Sequence, residues 1–143
     1  SWMDAAKLFG FHLNVACPQG YDPDPTVQAM NEGHVSYFRD PKQAVAGAEV
    51  VVTDTWASMG QEAEKAIREQ AFAGYQVTTE MMQLAVPNAL FMHCLPAYRG
   101  MEVSNEVMEG AQSVIWDEAE NRLHAQKALL EVLVCGFPEG MPA

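Results

Sequence analysis

The chain contains 143 residues, of which 49% are apolar and 19% are charged. This length and composition fit a single folded domain with an ordinary hydrophobic core, and they exclude a disordered chain. The formal net charge of −11 at pH 7 argues against nucleic acid or an anionic membrane surface as the partner, because both attract basic proteins. No apolar run approaches the ~20 residues that a membrane-spanning helix needs.

The cysteines of the chain are Cys17, Cys94 and Cys135. They lack the spacing of metal ligands, and their odd number leaves at least one thiol unpaired. The simplest interpretation is a reduced, cytoplasmic compartment and no bound metal. No Gly-x-Gly-x-x-Gly motif follows the first predicted strand, which argues against a dinucleotide-binding module. The sequence indicates no other cofactor.

Helix-like and strand-like segments alternate along the whole chain. Apolar residues at helical spacing predict helices over residues 2–9, 26–31, 41–46, 61–72, 79–85, 103–108 and 118–134. Short β-branched or alternating runs predict strands over residues 11–16, 35–38, 50–53, 90–93 and 113–116. The run at 50–53, three valines and a threonine, is typical of a strand that is buried on both faces.

This alternation, with short connections, predicts an α/β fold. We expect a doubly wound, mostly parallel sheet with helices on both faces, as in a Rossmann-like three-layer domain. The sequence contains neither a clear repeat nor an interdomain linker, so residues 1–143 are expected to form one domain. Ligands of such sheets bind just beyond the carboxyl ends of the strands. The residues that follow each predicted strand are therefore the candidates for function.

Asp54 and Ser58 follow the predicted strand at 50–53. Ser58 and Gln61 have the spacing of a capping box, which predicts that a helix begins near Met59. The unpaired N–H groups of a helix N-terminus can hold a carboxylate, and Asp54 can hold an ammonium group. An anion site beside a cation site suits the substituents on the α-carbon of an amino acid. The alternative is that Asp54 and Ser58 only cap the turn.

The predicted strand at 90–93 ends in His93 and is followed by Cys94, Leu95 and Pro96. A cysteine at a strand end can contact a substrate, although a lone histidine or cysteine more often serves packing. Because Pro96 lacks an N–H, local backbone pairing is reduced and the carbonyl of Leu95 can face a ligand. Cis X–Pro bonds occur in tight turns, although they make up only about 5% of such bonds overall.

Acidic residues and one arginine follow the predicted strand at 113–116. Asp117 and Glu120 form a second candidate capping box, at the start of the last helix. Arg122 lies one turn into that helix, where it can point back to the crevice shared by the strand ends. A surface arginine or an ion-paired arginine is an equally good interpretation. Complementary groups at three strand ends are better support for a common site than any one of them.

Three blocks of the sequence resemble the signature blocks of the ornithine carbamoyltransferases. They are residues 54–60 (Asp-Thr-Trp-Ala-Ser-Met-Gly), 92–96 (Met-His-Cys-Leu-Pro) and 117–122 (Asp-Glu-Ala-Glu-Asn-Arg). The His-Cys-Leu-Pro block is shared by several carbamoyltransferases, whereas the Ser-Met-Gly block is typical of enzymes that act on ornithine. The resemblance extends from residue 1 to about residue 133, and it corresponds only to the second, ornithine-binding domain of that family.

The resemblance implies a reaction in which the δ-amine of ornithine attacks carbamoyl phosphate to give citrulline and phosphate. Asp54, Ser58 and the backbone of Met59 then hold the α-amino and α-carboxylate groups of ornithine. Cys94 lies beside the δ-amine and the carbamoyl group, where it assists proton removal or orients the amine. Deprotonation is part of the task, because an ammonium has no lone pair with which to attack.

The resemblance also implies how the carbamoyl group of carbamoyl phosphate is held. The backbone carbonyl of Leu95 accepts a hydrogen bond from the carbamoyl NH₂ group. Similarity to carbamoyltransferase sites, together with the position at a strand end, also implies a cis Leu95–Pro96 bond, which would turn this carbonyl into the crevice. Arg122 contacts the carbamoyl oxygen, on which negative charge grows in the tetrahedral transition state. His93, next to this chemistry, is either a support or a further contact with carbamoyl phosphate. No metal or cofactor is implied.

The sequence also departs from the family pattern. The phosphate-binding Ser-x-Arg-Thr loop and His-Pro-x-Gln motif of the family's preceding domain are not found here. The resemblance therefore implies that an N-terminal carbamoyl-phosphate-binding domain is the missing partner, and that this chain alone is inactive. Because family members trimerise chiefly through that domain, we expect a homotrimer for the full-length enzyme. A monomer remains open for this chain alone.

Two other classes of function remain open. The first is a related carbamoyltransferase that acts on another amine, such as putrescine or an acylated ornithine. The Ser-Met-Gly block favours a free α-amino acid over both. The second is a noncatalytic module that binds an amino acid. The family resemblance itself associates the full-length enzyme with arginine biosynthesis or urea-cycle-type chemistry.

Overall fold

The computed structural model describes residues 1–57 and 64–137. Within these ranges the strands are β1 (Leu13–Ala16), β2 (Val35–Phe38), β3 (Val50–Thr53) and β4 (Leu90–His93). The helices are α1 (Trp2–Phe9), α2 (Pro25–Met30), α3 (Pro41–Val45), α4 (Lys65–Ala71), α5 (Thr79–Met82), α6 (Asn105–Met108) and α7 (Ile115–Cys135). None of these helices is both long enough and apolar enough to cross a membrane.

The strands form two parallel pairs, β1 with β2 and β3 with β4. Strands and helices alternate along the chain, and each parallel pair is joined by a connection that contains a helix. The predicted α/β class is therefore confirmed. The predicted continuous sheet is present as two two-stranded sheets within the described ranges.

Helix boundaries follow local signals in the sequence. α1 ends at Gly10, whose φ of 73° lies in the left-handed region that glycine adopts without strain. α2 and α3 each begin with a proline in the first turn, after the capping aspartates Asp24 and Asp40. The hydroxyls of Thr78 and Ser104 accept backbone N–H bonds at the starts of α5 and α6. Side-chain caps thus fix four of the helix starts.

The hydrophobic core lies on one face of the β3–β4 pair. Phe91, Ile115 and Val103 are completely buried there. The remaining buried members of this cluster are Val45, Val51, Val77, Met81, Met82, Ala89, Val107 and Met108. The core therefore supports the strand pair whose carboxyl ends carry the candidate site.

The other face of β3 is open. Val51 is 6% exposed, whereas its neighbours Val50 and Val52 are 42% and 39% exposed. The prediction that this strand is buried on both faces is therefore wrong for this chain. A run of β-branched residues specifies a strand, but burial of its second face depends on what packs against it.

The prediction of a last strand at 113–116 is also wrong. Ser113 forms only an isolated parallel bridge with Phe91, and α7 begins at Ile115. No side-chain cap is present at the start of α7, so the predicted capping box of Asp117 with Glu120 is wrong as well. Three apolar residues in a row do not distinguish a strand from the first turn of a helix. Ile115 is buried as part of that turn.

Candidate active site

Asp54 and Cys94 are adjacent at the carboxyl ends of β3 and β4. Thr53 lies opposite His93 in this parallel pair, so the residues that follow them leave the same edge of the sheet. The Cys94 Sγ donates a hydrogen bond to Asp54 Oδ1 at 3.2 Å. Both residues are exposed, so a solute can reach them. The structure thus brings together the predicted ammonium-binding carboxylate and the predicted reactive thiol.

The carboxylate of Asp54 is oriented by its own turn. The backbone N–H of Thr55 donates to Asp54 Oδ1 at 2.7 Å, and the thiol of Cys94 donates to the same oxygen. Among the described residues, none donates a hydrogen bond to the second oxygen, Oδ2. A carboxylate held through one oxygen in this way presents the other to a cationic ligand.

The thiol of Cys94 is a poor acid in this environment. Its partial burial, the hydrogen bond to Asp54 and the negative charges of Asp54 and Glu118 raise its pKa from 9.0 to about 11. Each of these effects disfavours the thiolate. At neutral pH Cys94 is therefore a protonated hydrogen-bond donor. It is neither a nucleophile nor a base in this state.

The peptide bond between Leu95 and Pro96 is cis, as predicted from the sequence. Leu95 is half-buried and follows directly after Cys94. Its backbone N–H donates to the Nδ1 atom of His93 at 2.9 Å. The segment after β4 is therefore tied back to the last residue of that strand.

His93 is buried and has partners on all sides. Its side chain is completely inaccessible, and its Nε2 lies 3.1 Å from Glu102 Oε1. Its backbone N–H donates to Glu118 Oε2 at 2.9 Å, and its Nδ1 receives the N–H of Leu95. Because both ring nitrogens are engaged, a carbamoyl group could reach neither without displacing a bond within the chain. Of the two roles predicted for His93, this geometry favours the support.

Ser58 and Met59, which the sequence predicts to hold the α-carboxylate and α-amino groups of ornithine, lie outside the described residues. The predicted capping box of Ser58 with Gln61 also lies outside them. The predicted helix at 61–72 is present as α4 from Lys65 onwards. These assignments stay predictions.

Side-chain contacts anchor the chain on both sides of residues 58–63. Arg68 on α4 donates through Nη1 to the backbone carbonyl of Trp56 at 3.3 Å and pairs through Nη2 with Glu64 at 3.0 Å. The ring of Trp56 stacks on that of Phe72, with centroids 5.8 Å apart. The sequence analysis did not identify Arg68, because its contact with Trp56 depends on how α4 packs.

Arg122 lies two turns into α7, because this helix begins at Ile115 and not near Glu118 as predicted. Its side chain is exposed. Within the described ranges it forms neither an ion pair nor a side-chain hydrogen bond. The structure therefore gives Arg122 no structural partner among these residues, and it does not bring Arg122 into contact with Asp54 or Cys94.

Two acidic residues at the site were missed by the sequence analysis. Glu118 was assigned to the start of the last helix, and its contact with the backbone of His93 follows from how α7 packs on β4. Glu102 is a buried carboxylate. Its burial was not predicted, because several of the residues around it in the stretch 98–106 are polar. A possible signal was the cluster of charged residues just after the His-Cys-Leu-Pro block.

The ligand atoms of Asp54, His93 and Cys94 all lie within 4.8 Å of one another. This cluster contains donor types that bind transition metals. However, the imidazole nitrogens of His93 are already hydrogen-bonded to Leu95 and Glu102. The raised pKa of the Cys94 thiol also disfavours the thiolate that a metal would need. We therefore assign no metal to these residues.

Comparison with known proteins identifies the family. Residues 1–133 match the family model described as the Asp/Orn binding domain of aspartate/ornithine carbamoyltransferase. The chain therefore belongs to the aspartate/ornithine carbamoyltransferase family. This match covers the strand ends at Asp54 and Cys94 and most of α7, and it confirms the resemblance seen in the three sequence blocks.

The individual relatives are ornithine carbamoyltransferases. The chain is 58% identical over 134 residues to the ornithine carbamoyltransferase of Hydrogenovibrio crunogenus, which covers 94% of this chain and 44% of the relative. It is similar to the solved ornithine carbamoyltransferase of Pyrococcus furiosus, with a TM-score of 0.85 and 45% identity over 96% of this chain and 46% of that one. This chain thus spans slightly less than half the length of such relatives.

One solved neighbour carries a different name. It is an N-acetyl-L-ornithine transcarbamylase crystallised with carbamyl phosphate and N-succinyl-L-norvaline. The TM-score is 0.78 and the identity is 33%, over 93% of this chain and 43% of that one. The same fold therefore occurs in an enzyme named for an acylated ornithine, so the fold alone does not define the amine substrate.

Proposed function

We propose that this chain is the ornithine-binding half of an ornithine carbamoyltransferase. The enzyme transfers the carbamoyl group of carbamoyl phosphate to the δ-amine of ornithine and releases citrulline and phosphate. The observation that carries the proposal is the Asp54–Cys94 pair at the adjacent ends of two parallel strands, in a chain that belongs to this family. The high identity to enzymes named for ornithine supports this amine over others.

Asp54 binds the α-ammonium group of ornithine in this proposal. Its carboxylate is exposed and oriented through Oδ1, which leaves Oδ2 for the ligand. Ser58 and the backbone of Met59 hold the α-carboxylate. Because ornithine carries two ammonium groups and one carboxylate, the excess of acidic groups around the strand ends, Asp54 and Glu118, matches its charge.

Cys94 orients the δ-amine. The sequence left two roles open for this residue, proton removal and orientation. A thiol with a pKa of about 11 holds its proton at neutral pH, so it cannot accept one from the δ-ammonium. Its sulfur is therefore a contact for the amine, and its S–H remains a donor to Asp54. The neutral amine that attacks is then supplied by the fraction that is already deprotonated, which grows with pH.

The carbamoyl group is held on the other side of the amine. The backbone carbonyl of Leu95 accepts from the carbamoyl NH₂, and the guanidinium of Arg122 meets the carbamoyl oxygen as its negative charge develops. The buried imidazole of His93 supports the segment that carries Leu95 and does not contact carbamoyl phosphate. Arg122 is exposed and has no ion pair within the described ranges, so it is available to a ligand.

The remaining half of the enzyme supplies the phosphate-binding groups. This chain spans 44% of the length of its Hydrogenovibrio relative, so the second substrate and the complete active site belong to the full-length protein. For that protein we propose a homotrimer in the cytoplasm, in arginine biosynthesis or urea-cycle-type chemistry.

The alternatives are separated by a substrate panel. The chain is joined to a carbamoyl-phosphate-binding half, and carbamoylation of ornithine, putrescine and N-acetylornithine is assayed with saturating carbamoyl phosphate. We expect turnover of ornithine to exceed that of the other two. Preference for putrescine or N-acetylornithine would assign the related carbamoyltransferase. Turnover of none, with calorimetric binding of ornithine, would assign the noncatalytic module.

A further inference from the structure

A buried ion-forming pair lies directly beneath the candidate site. The side chains of His93 and Glu102 are both completely inaccessible, and their Nε2 and Oε1 atoms are 3.1 Å apart. Burying such groups is unfavourable unless they are hydrogen-bonded. Because neither side chain is accessible to a solute, the pair does not bind ornithine directly and needs another explanation.

The hydrogen bonds define which ring nitrogen of His93 carries the proton. The Nδ1 atom accepts the N–H of Leu95 at 2.9 Å, so it has no hydrogen of its own. The hydrogen therefore sits on Nε2, which donates to Glu102. The direction of donation is thus from Leu95 to His93 and from His93 to Glu102. The hydrogen bond at one ring nitrogen of a histidine commonly determines whether the other ring nitrogen carries a hydrogen.

Glu102 also holds the far end of the same segment. Its Oε1 accepts the backbone N–H of Tyr98 at 2.6 Å. Residues 94–97 are therefore held at both ends, by Leu95 through the imidazole of His93 and by Tyr98 directly. This segment carries the Cys94 thiol and the Leu95 carbonyl. One carboxylate oxygen thus organises the whole stretch that faces the proposed substrates.

We propose that Glu102 is a positioning residue for carbamoyl transfer, which acts through His93 and Tyr98 to fix Cys94 and the Leu95 carbonyl. This inference rests on the proposed function. The second oxygen of Glu102, Oε2, is buried with no hydrogen-bond partner among the described residues. A single oxygen acceptor is therefore what the segment requires. A glutamine can supply that acceptor, whereas a leucine of similar size cannot.

The first experiment uses this chain and requires no variant. Nitrogen-15 NMR of the imidazole of His93 reports which ring nitrogen carries hydrogen. We expect Nδ1 to be bare and Nε2 to be protonated. A hydrogen on Nδ1 would overturn the proposal, because the Leu95 N–H could not then donate to it. This measurement does not depend on which amine the enzyme uses.

The second experiment compares Glu102→Leu, Glu102→Gln and the control Glu106→Leu in the full-length enzyme. Glu106 is an exposed glutamate in the first turn of α6. We expect Glu102→Leu to lower kcat about 10²-fold, because small displacements of positioned groups have effects of that size. Glu102→Gln keeps kcat within about threefold, since it preserves both accepted hydrogen bonds. Glu106→Leu behaves as the wild type.

The split between kinetic constants separates positioning from general destabilisation. Asp54 follows β3, and the backbone N–H of Thr55 holds its carboxylate independently of Glu102, so the ornithine KM of Glu102→Leu should change far less than its kcat. Should Glu102→Leu fail to fold, Glu102→Gln and the NMR measurement still decide. A glutamine variant that loses activity as the leucine variant does would overturn the proposal. Activity of wild type on no amine would instead refute the proposed function and leave the NMR result standing.

Discussion

Thr53 on β3 lies opposite His93 on β4, and this register brings the functional side chains that follow the two strands together. Each strand is followed by one functional side chain, Asp54 or Cys94, and the two meet at 3.2 Å. A carboxylate and a thiol that are 40 residues apart in sequence are thus joined by one hydrogen bond. Partial burial and this contact together raise the pKa of the thiol, and the contact makes the chemistry of each residue depend on the other.

The first prediction concerns the reactivity of Cys94. Alkylation by iodoacetamide needs the thiolate, and the pKa of Cys94 is raised to about 11 by burial and by Asp54. Alkylation of Cys94 should therefore be slow at neutral pH and rise with a midpoint at about pH 11. Asp54→Asn removes the negative charge beside the thiol, so it should lower the pKa of Cys94 and speed its alkylation. Mass spectrometry of the Cys94 peptide across pH measures both.

The control for this experiment is the peptide that contains Cys135, an exposed thiol on α7 in the same samples. Its alkylation profile should be the same in the wild type and in Asp54→Asn. An unchanged profile for Cys94 in Asp54→Asn would mean that the Asp54 carboxylate does not interact with the thiol in solution.

The second prediction separates binding from chemistry in the full-length enzyme. Asp54 is proposed to pair with an ammonium in both the ground state and the transition state. Asp54→Asn should therefore raise the ornithine KM by about 10- to 100-fold with a smaller change in kcat, since it weakens uniform binding. Steady-state kinetics measure this, and Asp4→Asn, at an exposed aspartate on α1, is the matched control. A kcat defect without a KM defect contradicts the assignment.

The third prediction concerns Arg122. Its guanidinium is proposed to meet charge that develops only as the amine adds to the carbamoyl carbon. Arg122→Met should therefore lower kcat about 10²- to 10³-fold, with some rise in the KM for carbamoyl phosphate. Circular dichroism establishes that the variant is folded. Near-normal kcat in a folded Arg122→Met enzyme would show that the arginine has a structural role.

The fourth prediction concerns this chain without its missing half. It should form no citrulline at an appreciable rate, because positioning of two reactants contributes roughly 7–11 kcal/mol of barrier lowering and half of a site cannot provide it. The assay uses ornithine and saturating carbamoyl phosphate with protein purified from a host that lacks its own enzyme. Robust turnover would refute this prediction.

The fifth prediction tests the core beneath the site. Phe91 is completely buried on β4, whereas Phe9 on α1 is 76% exposed. Phe91→Ala should lower the free energy of unfolding by about 3–5 kcal/mol, since it removes transfer free energy and leaves a cavity. Phe9→Ala should change it by at most about 0.5 kcal/mol. Urea titration followed by circular dichroism compares the two variants, and equal effects would contradict the assigned core.

The fold was largely predictable from local sequence signals. The valine run of β3 and the Leu-Phe-Met-His run of β4 specify strands, and their order in the chain predicts that their ends are neighbours. Burial was less predictable. Val50 and Val52 are apolar but exposed, because the composition of a strand does not reveal what covers its second face.

The start of the last helix shows a different limit. The run from Val114 to Trp116 predicts a strand on composition, yet Ile115 is the first residue of α7. A segment this short has no periodicity that separates the two states. The packing of Ile115 into the core decides between them, and packing is a property of the tertiary structure.

The residues of the candidate site also differ in whether the sequence could predict them. Asp54 and Cys94 were predictable because a strand end can be located from sequence. Glu102 was not, because its role depends on meeting His93, which lies nine residues earlier across a turn. Glu118 likewise contacts His93 only because α7 packs against β4. Groups that touch substrate leave a signal in the sequence more readily than groups that hold them in place.

The parallel register of β3 and β4 also limits where residues can be inserted or deleted. Asp54 lies four residues after Val50, and Cys94 lies four residues after its partner Leu90. Deleting one residue within either strand would turn its buried side chains outwards and would separate the thiol from the carboxylate at the same time. Insertions and deletions among related sequences should therefore avoid both stretches and accumulate in loops such as residues 18–24.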